Sequence, residues 1–109
     1  MGLTNKQKFN IIYKQDKNQA NSKEDISRLT KIPMKFIEEV FSRGEGAWKS
    51  NPESVRVIKG KKLSSVQWAY GRLYAFIVKR KEGGLEFDLD VSSDIRKYKK
   101  KEKEKKENK

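Results

Sequence analysis

The cations are the residues of this chain whose number and spacing point to a chemistry. Twenty-seven Lys and Arg stand against fifteen Asp and Glu, a formal net charge of +12. Lys49, Arg56, Lys59, Lys61 and Lys62 fall in one glycine-punctuated stretch whose only carboxylate is Glu53. Arg72, Lys79 and Arg80 follow in a stretch, 64–80, without a carboxylate. One-signed charge does not help a fold, because it repels itself. On a shared surface, long cationic side chains neutralise phosphates and release their counterions. The chemistry expected is ionic capture of a polyanion, with nucleic acid first and an anionic membrane surface second. The competing reading is a solvated surface reflecting a lysine-rich composition.

Other chemistries find few residues to carry them. The chain has no Cys and no His, which removes disulfides, thiol nucleophiles and imidazole bases. Its one carboxylate cluster is Glu86, Asp88 and Asp90, with Asp94 nearby. Their alternation with Leu85, Phe87, Leu89 and Val91 reads as the solvent face of a strand. A hard cation needs six or more converging oxygens, and no EF-hand spacing is present. The GEG at 44–46 is too short for a phosphate-cradling loop, and no nucleophile signature occurs. The expectation is a protein that is not an enzyme, with no cofactor, metal or small-molecule substrate. The N-terminus lacks the apolar run of a signal peptide, and no stretch reaches membrane-spanning length. Lys6 stands where a myristoylation signal needs Ser or Thr.

The elements that must position the cations are mostly helical. Length fits one small domain, divided into a polar N-terminal segment at 1–21, a helical DNA-binding core at 22–91 and a lysine-rich tail at 92–109. Phe9, Ile12 and Tyr13 share a helix face, and the polar KQDKNQAN that follows reads as linker. Ser22 and Asp25 suit a capping box, opening a helix with Ile26 and Leu29 on one face. Pro33 suits the start of a second helix carrying Phe36, Ile37, Val40 and Phe41, with Gly44 expected to end it. The two form a helix-turn-helix-like pair. Ser64 or Ser65 caps the longest helix, to Arg80, with Trp68, Leu73, Phe76 and Ile77 inward; Gly71 costs helix propensity, about 1 kcal/mol against alanine, and is tolerable if another helix crosses closely there. Tyr70 and Tyr74 are expected partly exposed, where they could stack on bases. Leu85–Val91 reads as one strand, paired with the 55–58 piece or with another chain. From Arg96 nine cations meet three carboxylates, which reads as a fraying helix or an unpacked arm anchored by Ile95 and Tyr98. The fold class expected is mainly α: a compact bundle of three or four short helices, with one small β-hairpin as an option.

RGEGAWKSNPESVR followed by QWAYGRLYAFIVKR is a more specific signal than any of these pieces. With the SKEDISR-like helix and the IP-initiated helix before it, the order resembles a family of small basic proteins of giant DNA viruses and large phages. The family pattern RGxGAWK…QWAxxRxYxFxxKR covers roughly residues 20–80 here. The likeness extends to mimivirus-type DNA-condensing core proteins. It implies a histone-like, nucleoid-associated viral protein that binds duplex DNA without sequence preference and compacts the genome. The implied location is the virion core and cytoplasmic viral factory, or otherwise an intracellular compartment. The C-terminal third departs from the family ending.

Charge and position nominate Lys35, Arg43, Lys49, Arg56, Lys59, Lys61, Lys62, Arg72, Lys79, Arg80, Arg96, Lys97, Lys99 and Lys100 as DNA contacts. Double-stranded DNA is the expected partner, with homo-oligomerisation or self-association on DNA as a route to condensation and no membrane partner. The alternatives are a sequence-specific helix-turn-helix regulator, with Lys35–Arg43 in the major groove, and a structural virion protein binding protein or membrane.

Overall fold

The computed structural model describes residues 2–50, 57–58, 61–62 and 64–107. Five helices form a bundle: α1 (Asn5–Ile12), α2 (Lys23–Thr30), α3 (Met34–Ser50), α4 (Ser65–Glu82) and α5 (Leu89–Glu107). Strands β1 (Val57–Ile58) and β2 (Lys61–Lys62) pair antiparallel, with Val57 opposite Lys62 and Ile58 opposite Lys61. The architecture is the mainly α bundle expected. The hairpin lies between α3 and α4 and pairs locally instead of with residues 85–91.

Local chemistry sets the helix starts. Thr4, Ser22 and Ser64 each cap a helix reciprocally with the residue three positions on, Gln7, Asp25 and Gln67. Each hydroxyl accepts an orphan backbone N–H, and each partner side chain accepts the cap's own N–H. Pro33 sits one residue before α3, its carbonyl accepting the Phe36 N–H at 3.0 Å. Two ends turn through the left-handed region, Lys31 at φ 60° and Gly83 at φ 91°.

Gly44 does not end α3; the helix continues through Gly46 and Trp48 to Ser50. Gly44 is buried where α3 meets α4, and a Cβ there would stand 2.9 Å from the Ala69 Cα. The missing side chain serves close helix approach, not chain reversal. Among the described residues no helix crosses closely at Gly71, which faces open space. The core gathers Ile26, Ile32, Phe36, Ile37, Val40 and Phe41 from α2, α3 and their junction, against Leu73, Phe76, Ile77 and Val78 of α4. Phe9 of α1 closes one side, its ring 5.2 Å from that of Tyr74.

The 13–22 segment is not a linker. Buried Asn10 holds it: its Nδ2 donates to the Lys17 and Gln19 carbonyls at 2.9 and 3.0 Å. Its Oδ1 accepts from Gln15 Nε2 and Asn21 Nδ2 at 3.0 and 2.9 Å. Asn21 Nδ2 also donates to the Tyr74 hydroxyl at 3.2 Å. Tyr74 is therefore buried, and Tyr70 packs edge-on against Phe41 at 5.0 Å; neither is a free stacking platform.

Leu85–Val91 is not a strand. Leu85 and Phe87 pack on the core, but Asp88 turns through φ 51° and α5 begins at Leu89. Leu89 is 58 % exposed while Val91 and Ile95 are fully buried. The two-residue alternation is thus overridden by a helical one, 91, 95, 98. The start of the expected tail packs: Tyr98 meets Phe36 edge-on at 6.3 Å.

Candidate nucleic-acid interface

Two of the nominated arginines are tied up inside the fold. Arg72 on α4 grips Asp88 with two parallel bonds, Nε to Oδ2 and Nη2 to Oδ1, both 3.0 Å. Arg43 on α3 donates from Nη1 to Asp88 at 3.0 Å and to Asp90 at 2.9 Å. Its Nη2 reaches Asp90 and Glu39, both at 2.8 Å. The Asp88 side chain is only 3 % exposed, against 27 % for Arg72 and 35 % for Arg43. The hydrogen bonds from Arg43 lower the Asp90 pKa to about 2, and those from Asp90 and Asp88 raise that of Arg43. The supposed solvent-facing acidic strip is therefore split: Asp88 and Asp90 clamp α3 and α4 to the start of α5, while Glu86 stays exposed. The Arg72 guanidinium also covers the Phe87 ring at 5.3 Å. Asp88 holds a left-handed backbone that non-glycine residues adopt at a cost of about 1 kcal/mol. Three charge-assisted hydrogen bonds offset that cost.

A second group of cations has no such partners. Arg80, Lys81 and Lys99 line a cavity of about 160 Å³ with Tyr13, Thr30, Ile32 and Ile77. Among the described residues no carboxylate lies within 4.0 Å of these three cations. Arg80 spends only Nε, on Ser92 Oγ at 3.0 Å. Lys99 spends one donor, on the Thr30 carbonyl at the end of α2, at 3.0 Å. Burial lowers the Lys99 pKa, and Arg80, Lys81 and Lys31 lower it further. Burial, then Arg96, lowers that of Arg80. Burial raises the Tyr13 hydroxyl, opposed by Arg80. Lys81 stands over the Tyr13 ring at 5.1 Å. Like charges converge here on a concave surface without neutralisation.

The cluster continues as a band. Lys31, Tyr98, Lys99 and Lys103 line an adjoining groove of about 420 Å³ with Glu102. Lys35 lies 6.0 Å from the centre of the Tyr98 ring and 5.0 Å from that of Phe36. Arg80 and Lys99 are thus brought together by the fold, and Lys35 stands beside Tyr98, which lines the adjoining groove. Arg96, Lys97 and Lys100 on α5 are exposed, Arg96 near enough to Arg80 to lower its pKa, and Lys49 is exposed in the last turn of α3. Lys79 is half-buried against Phe87. Lys61 and Lys62 form β2; Arg56 and Lys59 lie outside the described residues. Sequence reasoning missed Lys31, Lys81 and Tyr13. Lys81 ends the run Lys79–Lys81, and cations in a helix's last turn were already a signal for its neighbours. Nothing local marks Lys31 or Tyr13 as belonging to the same surface.

Residues 1–97 match the sequence profile of a family of unknown function, DUF5824. The chain belongs to that family. The DUF5824 match runs through α1 to the third turn of α5, taking in Asp88, Asp90 and Arg80 and stopping before Tyr98 and Lys99. No curated protein and no solved structure matches.

The outward face of α3 bears on the helix-turn-helix alternative. Phe36, Ile37, Val40, Phe41 and Gly44 face the core, leaving Lys35, Glu38, Glu39 and Ser42 exposed. Two carboxylates on that face oppose a phosphate-lined groove, and Arg43 is already engaged. Among the described residues no helix is long and apolar enough to cross a membrane, and no group of three carboxylates converges to hold a metal ion.

Proposed function

We propose that this protein binds double-stranded DNA without reading its sequence and compacts it. The observation that carries this reading is the unneutralised convergence of Arg80, Lys81 and Lys99, extended by Lys31 and Lys35. Like charges held this close repel one another, and a phosphate backbone supplies anions in a row. The net charge of +12 supports the same partner. Backbone gripping positions a duplex without specifying its sequence, and exposed Glu38 and Glu39 on α3 disfavour entry of that helix into a phosphate-lined groove.

Compaction requires one particle to touch two duplex segments. Helix α5 has two cationic sides: Lys99 reaches the end of α2 and the band, while exposed Lys97, two residues back, lies on nearly the opposite side of the helix. A monomer with both sides occupied bridges two segments, and self-association on DNA would multiply the bridges. The resemblance to small basic proteins of giant DNA viruses agrees with a histone-like role in a virion core or viral factory. A mobility-shift titration with random-sequence duplex at several salt concentrations, with RNA as competitor, tests the binding. Log affinity is expected to fall linearly with log salt, at about 0.9 per phosphate contacted. A flat response would remove phosphate gripping from the account.

A further inference from the structure

We propose that the cavity between the ends of α1 and α2 and helices α4 and α5 is a discrete seat for one phosphate group, held by Arg80, Lys81 and Lys99. This deepens the phosphate-gripping reading above and rests on it for the duplex; it adds a saturable site where that reading needs only diffuse charge. The cavity's volume of about 160 Å³ accommodates several waters, enough for a tetrahedral oxyanion. The donors left over suit such a guest. With Nε on Ser92, both Nη groups of Arg80 remain to form a fork, the geometry that matches phosphate oxygens. Lys99, with one proton on the Thr30 carbonyl, keeps two more, and Lys81 reaches in over Tyr13. Tyr13, whose ring is fixed against Phe9 at 4.7 Å, adds a hydroxyl at the wall. Ile32 and Ile77 supply an apolar side, which reduces screening and strengthens each ionic contact.

Three structural duties compete with this assignment. Lys99 caps α2, Arg80 ties α4 to α5, and Lys81 covers Tyr13. They account for where the side chains start, but not for why three cations share one cavity with no carboxylate among the described residues.

The test uses the full chain and inorganic phosphate. Titrate phosphate at constant ionic strength against a chloride reference, following tyrosine and tryptophan fluorescence and calorimetric heat. Compare wild type with Arg80→Gln, Lys99→Gln and Lys81→Gln. Lys99→Gln keeps a donor for the Thr30 carbonyl, and Lys81 is exposed, so circular dichroism is expected to show both variants folded. One phosphate per chain is expected, weakened about tenfold or more by each substitution, the scale of a lost charge-assisted hydrogen bond. Phosphate is also expected to compete with duplex for wild type and less for Lys81→Gln. Absent or non-saturating phosphate binding with duplex binding intact would overturn the seat and leave the duplex reading standing. Loss of both would overturn both. Equal phosphate binding by wild type and all three variants would place the ion elsewhere and overturn the seat.

Discussion

Replacing Asp88 tests how α5 is attached to the bundle. Its carboxylate accepts three bonds, from Arg43 and from both donors of Arg72, each with a net value of about 1.5–3 kcal/mol. The full sum overstates the loss. Both guanidiniums keep partial contact with water, and Arg43 retains Glu39 and Asp90, so solvent screening discounts it. Asp88→Asn, which keeps the shape and tolerates the left-handed backbone, is expected to cost about 2 kcal/mol. Asp88→Ala adds the full strain of φ 51° and is expected to cost about 3 kcal/mol, with Asp88→Gly near about 2 kcal/mol because glycine relieves about 1 kcal/mol of strain. At roughly 4–8 °C per kcal/mol for a domain of this size, the midpoints fall by about 8–24 °C. Urea and thermal unfolding followed by circular dichroism measure the series. Asp88→Asn within about 0.5 kcal/mol of wild type, the range of an ordinary surface change, would refute the clamp.

Glycine substitutions should separate the two helix interiors. Gly44→Ala drives a Cβ to 2.9 Å from the Ala69 backbone and is expected to cost about 1–3 kcal/mol, whereas Gly71→Ala, in open space, should stabilise by up to about 1 kcal/mol; equal effects in urea titrations would contradict the close crossing. Asn10→Ala removes the partner of four groups in the 13–22 segment, so destabilisation of about 2–3 kcal/mol and faster amide exchange over that segment are expected; unchanged exchange would restore it to a linker. Asp90, with its pKa lowered to about 2 by Arg43, contributes stability that is present above the ordinary carboxyl range and lost as pH falls toward 2. Carboxyl ¹³C titration should find Asp90 well below the ordinary range and return it there in Arg43→Gln; an ordinary value in wild type would contradict the pairing.

Much of the bundle was readable in short-range pattern. Ser22 with Asp25, the face Phe36–Phe41 and the run Leu73–Ile77 are local signals, and they mark elements the structure contains. The failures share a cause: a partner distant in sequence decided the local geometry. Gly44 has the composition of a helix end, and only the approach of Ala69 from α4 makes it an interior residue. LEFDLDV alternates like a strand, and Arg43 and Arg72 turn it into a helix entry by capturing Asp88. KQDKNQAN is polar enough for a linker, and one buried amide organises it. Among the nominated cations, Arg80 and Lys99 could be picked by charge, but their shared cavity could not be seen. Arg43 and Arg72 looked equally free until Asp88 was placed between them.

The account rests on unpaired cations, not total charge, contacting phosphates. Its most direct test compares duplex affinity against salt for two variants that each remove two cations. Lys31→Asn with Lys81→Gln empties part of the band, with Asn suited to φ 60° at position 31. Lys23→Gln with Arg28→Gln removes cations already paired with Glu38 and Asp25. The band variant is expected to lose nearly 2 from the log–log slope, about 0.9 per phosphate contact, and the paired-cation variant to keep nearly all of it. Equal loss from both would mean that charge acts diffusely, and would contradict the account.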